Sequence, residues 1–269
     1  MDLVLDYVDP LYLDKVYSDF FPSTFQDRDF WVRQYISILV IWIIGGWIAY
    51  LGMGAFSYVV FFDKNLKNHK LFLPNQMRQE ITVAMTSIPL MALPSALIFV
   101  AEVRGYSKLY DTFDYAGLNG YVLTLLTIPF YLLFTDAGIY WIHRILHWPA
   151  FYGPIHKLHH RWIVCSPFAS HAFHPLDGFL QSVPYHIYVF LFPINKVLYM
   201  AMFLFVNMWT VSIHDEYHFY SGKILNGAEH HTIHHRQFLY NYGQYFTLWD
   251  RMCGTHKLTH NSDSGKKAQ

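Results

Sequence analysis

The sequence predicts an all-α, multi-span integral membrane protein with a cytosolic helical cap that carries a histidine-rich site for two metal ions. Hydrophobic residues make up 54% of the 269 residues and charged residues only 14%, whereas soluble domains have roughly 25% charged residues. The apolar residues form runs long enough to cross a bilayer. Eleven of the 17 histidines lie in two stretches, 143–160 and 214–235.

Composition also excludes several classes of protein. The formal net charge is zero, and without a basic stripe there is no reason to expect nucleic acid as a partner. The chain has two cysteines, Cys165 and Cys253, which is too few for a disulfide scaffold or for a cysteine-rich zinc or iron–sulfur site. The lipid bilayer is therefore the first predicted partner.

The chain is predicted to have three parts. Residues 1–35 contain seven aspartates against Lys15, Arg28 and Arg33, and we expect them to form a lumenal or interfacial segment. Residues 36–260 are predicted to form the membrane domain, and residues 261–269 a C-terminal tail.

Three uncharged or nearly uncharged runs predict membrane spans at about 36–62, 81–101 and 121–142. Residues 63–80 between the first two runs are rich in lysine, and the positive-inside rule places them in the cytoplasm. The acidic N-terminus is then lumenal, and the third span brings His143 to the cytoplasmic face.

A fourth apolar stretch, 184–213, is interrupted by Pro193-Ile-Asn-Lys196. We expect a helical hairpin here, because the two histidine-rich stretches flank it and can meet only if an even number of crossings separates them. A single straight span would hold them roughly 30 Å apart.

Histidines at helical spacing follow the third predicted span. His143 and His147 are four residues apart, and His156, His159 and His160 follow at three- and four-residue spacing. Residues so spaced share one face of a helix. Neutral imidazoles grouped in this way typically bind a transition metal.

The second stretch repeats this pattern, since 231–235 has the spacing of 156–160 and 214–218 has that of 143–147. We interpret the two stretches as two half-sites that together hold two metal ions. The predicted ligands are ten histidines: His143, His147, His156, His159, His160, His214, His218, His231, His234 and His235.

Imidazole ligation alone suits zinc, iron, copper or nickel. The Glu-x-x-His pattern of ferritin-like di-iron proteins and the His-Glu-x-x-His zinc motif are both absent from the sequence. Iron is inferred from the reaction that the site could support, because a dimetal centre beside apolar spans suits oxygen activation on a lipid-soluble substrate. Groups that hydrogen-bond the ligands are expected nearby. The candidates are Asp136, His171, His174, Asp177, Asp215, Glu229, His230 and Asp250.

The histidine motifs resemble the three boxes of the membrane fatty acid hydroxylase/sterol desaturase superfamily. The boxes are His143-x3-His147, His156-x2-His159-His160 and His231-x2-His234-His235, and the match continues through Asn241–Arg251. Within that superfamily, Ser166–Gln181 and Trp209–Asp215 resemble the sterol C5-desaturases (lathosterol oxidases).

This resemblance implies O2-dependent introduction of the C5=C6 double bond into a Δ7-sterol in sterol biosynthesis. It also implies two iron ions and electrons that pass from NADH through cytochrome b5 and its reductase, with no direct NADH site on this chain. We then expect the endoplasmic reticulum membrane, with the active site facing the cytosol. Lys266 and Lys267, near the end of the chain, resemble a dilysine retrieval signal for that membrane.

Three alternatives stay open at this point. A sterol or fatty acyl hydroxylase, or a sterol C4-methyl oxidase, uses the same scaffold. A metal-ion transporter would use the histidines as a conduction path, although transporter sites lie near the middle of the bilayer. A non-catalytic sterol sensor would need the pocket but not ten ligands.

Overall fold

The computed structural model describes residues 1–112, 114–115, 117, 119–218 and 223–258. The predicted tail 261–269, with Lys266 and Lys267, lies outside the described residues. The helices are α1 (Asp2–Val8), α2 (Asp14–Phe20), α3 (Trp31–Val60), α4 (Gln76–Val103), α5 (Gly120–Leu146), α6 (Pro149–Phe151), α7 (Pro175–Leu191), α8 (Lys196–Ile213), α9 (Ala228–Gln237) and α10 (Leu248–Met252). Two short strands, β1 (Leu109–Tyr110) and β2 (Ile194–Asn195), pair in parallel.

Four helices are long and apolar enough to cross a bilayer, namely α3, α4, α5 and α8. The predicted all-α, multi-span membrane fold is thereby confirmed. α4 packs against α3, and α5 packs against α7. Gly138 allows the second contact to be close, because a Cβ there would lie 2.6 Å from the ring of Pro184.

The first two long helices begin about five residues before the predicted spans. The added turns carry charged residues that form hydrogen bonds or ion pairs with other residues of the protein. Arg33 of α3 donates to Asp9 at 2.8 Å and to Asp14 at 2.6 Å, and Glu80 of α4 accepts from Gln76 at 2.7 Å. Paired in this way, these groups do not have to end the helix.

The stretch 184–213 is two helices rather than one straight span. α7 ends at Leu191 and α8 begins at Lys196, where the Asn195 side chain accepts from the backbone N–H groups of Val197 and Leu198. The connection runs through β2, which pairs with β1 after α4. The start of α7 and the end of α8 therefore lie at the same end of the helices.

The two ends of the helical body have different contents. One end holds α1, β1 and β2, where Lys196 contacts Asp2 and lies 2.6 Å from Asp111. The other end holds the short helical turns between α5 and α7 together with α9 and α10, and we name it the histidine end. Every predicted metal ligand lies at or near the histidine end.

Candidate metal centre

Nine of the ten predicted ligands lie in two compact groups. Cluster A contains five histidines and cluster B contains four, and within each group the nitrogens that could bind a metal lie within 4.8 Å of one another. Cluster A is His143, His147, His156, His160 and His234. Cluster B is His159, His214, His231 and His235.

The clusters are assembled from the ends of two apolar helices and from the cap. His143 is in the last turn of α5, and His214 directly follows the last residue of α8. A π turn and a 3-10 turn after α6 carry the middle box, and α9 carries the last box. The hairpin formed by α7 and α8 returns the chain to the histidine end after the middle box, where His214 of cluster B follows α8.

Each cluster takes one ligand from the other half of the chain, so the two predicted half-sites are interleaved. His159 belongs to cluster B, whereas its neighbours His156 and His160 belong to cluster A. His234 of α9 belongs to cluster A, whereas His231 and His235 belong to cluster B. On α9 the cause is simple, because residues four apart share a face while adjacent residues point about 100° apart.

Five ligands turn Nδ1 away from the cluster and towards a fixed acceptor. Four of these acceptors are backbone carbonyls and one is a carboxylate, so each Nδ1 carries the proton and each Nε2 keeps its lone pair. The pairs are His143 to Tyr242 O (3.0 Å), His214 to Thr210 O (2.7 Å), His234 to Tyr240 O (2.7 Å), His235 to Trp162 O (3.1 Å) and His156 to Asp177 Oδ2 (2.7 Å).

The Nε2 atoms meet inside each cluster. In cluster A, His160 Nε2 lies 3.1 Å from His156 Nε2 and 3.1 Å from His234 Nε2. In cluster B, His231 Nε2 lies 2.8 Å from His214 Nε2 and 3.1 Å from His235 Nε2. Two ligands of one ion with bonds of about 2.1 Å are separated by about 3.0–3.4 Å, so these donor sets fit a metal ion in each cluster.

Burial keeps the ligands in the neutral form that binds metals. Loss of solvent, reinforced by neighbouring imidazoles, lowers the pKa of His159, His160, His231 and His235 well below its usual range. Burial lowers the pKa of His214 to about 4. At neutral pH these side chains therefore offer lone pairs and not charges.

Asp177, one of the predicted neighbours, bonds a ligand directly. Its Oδ2 accepts from His156 Nδ1 at 2.7 Å, and its Oδ1 accepts from Gln181 Nε2 at 2.7 Å. Both Asp177 and His156 have side chains that are 0% exposed. This carboxylate orients a ligand of cluster A and supplies negative charge beside it.

Asp136 and Asp250 form no hydrogen bond with a ligand in the described part of the chain. They hydrogen-bond the loop that contains Tyr242, whose carbonyl accepts from His143. Asp250 accepts from the backbone N–H groups of Tyr242 and Gly243, both at 2.9 Å. Asp136 accepts from the next backbone N–H groups along, including that of Tyr245 at 2.6 Å. Their role is to shape this loop.

The other predicted neighbours lie elsewhere. His171 donates to Asn207 Oδ1 at 3.1 Å, His174 caps α7, and Asp215 accepts from Ser57 Oγ at 2.9 Å. Glu229 lies in the first turn of α9, and the ring of His230 faces His256 with ring centroids 5.6 Å apart.

His218, the tenth predicted ligand, lies outside both clusters. Its side chain is 42% exposed and its Nε2 lies 3.7 Å from Glu216 Oε2, a contact that raises the pKa of His218. The four-residue spacing from His214 predicted a shared helix face, but α8 has ended at Ile213 and Glu216 has a φ of 57°. The four-residue spacing therefore no longer marks one helix face.

A cavity of about 430 Å³ reaches both clusters. At the histidine end its wall includes His143 of cluster A and His159, His214 and His231 of cluster B. The other end reaches Met1 and Val4. Most of the wall between is apolar and comes from α3, α4 and α8, including Ile41, Trp42, Met53, Ile88, Met91, Phe99, Phe203 and Leu204.

Sequence reasoning missed the carbonyl groups that orient the ligands and the amides of Gln181 and Gln244 in the cavity wall. Every residue has a carbonyl, so no residue type marks the ones used. Gln181 had a usable signal, since it follows Asp177 by four residues on α7 and therefore shares its face.

Comparison with known proteins finds one matching family model and several similar proteins. The family model "Fatty acid hydroxylase" matches residues 128–255. The "Delta(7)-sterol 5(6)-desaturase" of Eremothecium gossypii is 50% identical over 226 residues, which cover 84% of this chain and 64% of that protein. The "Lathosterol oxidase" of Mus musculus is 47% identical over 262 residues, which cover 96% of this chain and 85% of that protein.

A Delta(7)-sterol 5(6)-desaturase of Schizosaccharomyces pombe is 46% identical over 252 residues, which cover 94% of this chain and 82% of that protein. The chain thus spans less than two thirds of the length of the Eremothecium relative and most of the length of the other two. No solved structure matches the chain at a significant level.

Proposed function

The chain belongs to the fatty acid hydroxylase family, and we propose that it is a sterol C5-desaturase. The reaction is the O2-dependent introduction of the C5=C6 double bond into a Δ7-sterol. Relatives that are 46–50% identical carry the names Delta(7)-sterol 5(6)-desaturase and lathosterol oxidase, and these names support the choice of substrate and bond.

The observation that carries the proposal is a cavity that joins an apolar wall to both histidine clusters. Its volume of about 430 Å³ falls within the range of small-molecule sites. A sterol has a rigid, almost wholly apolar ring system, and burying it against α3, α4 and α8 is favoured by the hydrophobic effect. A ring carbon at the histidine end would lie beside both clusters.

Cluster A would hold one iron ion and cluster B the other. When bound, iron supplies the redox chemistry that activates O2 for hydrogen removal from an unactivated C–H bond. Zinc fits the same imidazoles, and the choice of iron rests on the redox reaction and on the family.

The residues of this chain orient the metal ligands, exclude water from the reaction site and supply charge beside the ligands. The carbonyls of Tyr242, Thr210, Tyr240 and Trp162 fix the ligand tautomers. The apolar wall keeps water from the reacting carbon atoms. The relative placement of the sterol and the clusters decides whether a second hydrogen is removed, as desaturation requires, or a hydroxyl group is transferred.

Electrons from NADH would arrive through cytochrome b5 and its reductase. The histidine end is the surface nearest the clusters, so cytochrome b5 would dock there. In this proposal the membrane is that of the endoplasmic reticulum and the histidine end faces the cytosol, in agreement with the lysine-rich segment 63–80 at the same end.

The other reactions are less well supported. A hydroxylase or a sterol C4-methyl oxidase would use the same clusters, but the relatives from Eremothecium gossypii and Mus musculus carry the names Delta(7)-sterol 5(6)-desaturase and lathosterol oxidase. A transporter would need histidines near the middle of the bilayer. In the described residues the clusters lie at the ends of α5 and α8 and in the cap.

The test is reconstitution of the iron-loaded protein in lipid vesicles with NADH, cytochrome b5, its reductase and a Δ7-sterol. We expect a conjugated 5,7-diene, detected by ultraviolet absorption and mass spectrometry, and about two iron ions per chain by elemental analysis. A hydroxylated sterol as sole product, or conversion of 4-methylsterols alone, would overturn the desaturase assignment. Metal flux without sterol turnover would favour the transporter.

A further inference from the structure

Gln244 is a polar side chain in the cavity wall that is held rigidly between the two clusters. The residue two positions before Gln244 is Tyr242, whose carbonyl accepts from His143 of cluster A. The Gln244 Nε2 donates to Thr210 Oγ1 at 2.9 Å, and the carbonyl of Thr210 accepts from His214 of cluster B. Gln244 is therefore tied to a ligand of each cluster.

The backbone of Gln244 is fixed as firmly as its side chain. Its N–H donates to Asp136 Oδ1 at 3.0 Å, and its carbonyl accepts from Trp209 Nε1 at 2.7 Å. Within the described part of the chain, no hydrogen-bond donor faces its Oε1. Gln244 lines the cavity, so this preorganised amide oxygen is left for a ligand that carries a hydrogen-bond donor.

Two other polar side chains of the wall, Asn207 and His186, are already used or too far away. Asn207 accepts from His171 Nε2 at 3.1 Å and donates to the carbonyl of Phe203 at 2.7 Å. His186 packs near Phe203, with ring centroids 6.0 Å apart. Phe203 precedes His214 by eleven residues on α8, a rise of about 16 Å, so His186 is remote from the clusters.

A Δ7-sterol offers one hydroxyl group, whose oxygen is three bonds of about 1.5 Å from C5. A hydrogen-bond acceptor for that group must therefore lie within a few ångströms of the reacting carbons. Thr210, which anchors Gln244, precedes His214 by one helical turn, a rise of about 6 Å. Among the groups compared, Gln244 meets this distance requirement and has a free acceptor.

Resting on the proposed function, we propose that Gln244 Oε1 accepts the hydrogen bond of the sterol 3-hydroxyl group. The contact places C5 and C6 at the clusters and directs the aliphatic side chain of the sterol towards Trp42, Phe99 and Phe203. Gln244 would then determine specificity for 3-hydroxysterols.

The experiment compares kcat/KM of the iron-loaded protein for a Δ7-sterol and for its 3-deoxy analogue in the same vesicles. The wild-type protein should prefer the hydroxysterol about 10- to 100-fold, the effect expected for one buried hydrogen bond. Gln244→Met, similar in size but without the acceptor, should lower kcat/KM for the hydroxysterol by that factor. The value for the deoxy analogue should stay within about twofold, and the iron content should not change.

Asn207→Leu is the matched control, because it removes a polar side chain from the same wall and should keep the preference for the hydroxysterol. Equal use of both sterols by the wild-type protein would overturn the proposal even if Gln244→Met failed to fold. Loss of the preference in Asn207→Leu but not in Gln244→Met would also overturn it. Failure of the wild-type protein to desaturate either sterol would instead refute the proposed function.

Discussion

Asp177→Asn should weaken metal binding in cluster A by disturbing one ligand. In the native structure the two carboxylate oxygens of Asp177 accept from two donors, His156 Nδ1 and Gln181 Nε2. Asparagine has one oxygen and one NH2 group, so it can serve only one of them. If its oxygen faces His156, its NH2 group opposes the donor of Gln181. If it flips, His156 must accept at Nδ1 and carry its proton on Nε2, where the metal needs the lone pair.

The size of the effect follows from burial, since both partners have side chains that are 0% exposed and water cannot replace the lost acceptor. Changes of a group that hydrogen-bonds a metal ligand typically cost 10- to 100-fold in metal affinity, which is about 1.4–2.8 kcal/mol. We expect a loss of this size in Asp177→Asn.

The assay is metal competition against a chelator of known affinity, with iron content measured elementally. Asp215→Asn is the control, because that buried carboxylate bonds Ser57 Oγ and the backbone of Tyr217; its metal affinity should match the wild type. In Asp177→Asn/Gln181→Glu, the amide can donate to the new carboxylate while its oxygen faces His156, so affinity should partly recover. Wild-type affinity in Asp177→Asn would refute this reasoning, and so would a double variant weaker than the single one.

Three further outcomes are expected. His218→Ala should keep at least half of the wild-type iron content and turnover, because His218 lies outside both clusters; loss of one iron would show that it is a ligand. His234→Ala should lower the metal content of cluster A, although His234 lies on α9 with two ligands of cluster B. Iron spectroscopy would measure the loss, and a loss confined to cluster B would contradict the assignment of His234 to cluster A. Gly45→Leu should lower sterol turnover at least tenfold without unfolding, because Gly45 lines the cavity and nothing lies within 4 Å of a Cβ there. Gly52→Leu, with the same free space elsewhere on α3, should match the wild type in turnover and in thermal stability.

Several features of the fold were predictable because they are properties of local sequence. Uncharged runs of more than 20 residues must be helical in a bilayer, since only internal hydrogen bonding satisfies the backbone there. The break at Pro193–Lys196 combines a proline with a capping asparagine, and the helix indeed restarts after Asn195. The bounds were less predictable, because a helix extends through charged residues such as Arg33 and Glu80 when distant residues pair with them. Asp9 accepts from Arg33, and Ser166 Oγ donates to Glu80.

The sequence by itself determined that this protein is a helical membrane protein and which histidines to consider as ligands, because both depend on residue type and spacing. Only the tertiary structure decided how those histidines are divided. His159 and His234 exchange clusters because of the directions in which side chains leave turns and helix faces. His218 lies apart from both clusters because α8 ends before it. The carbonyls that fix the ligands, such as those of Tyr242 and Thr210, come from segments far apart in the chain. Every residue carries such a group, so folding alone selects the ones that meet a histidine.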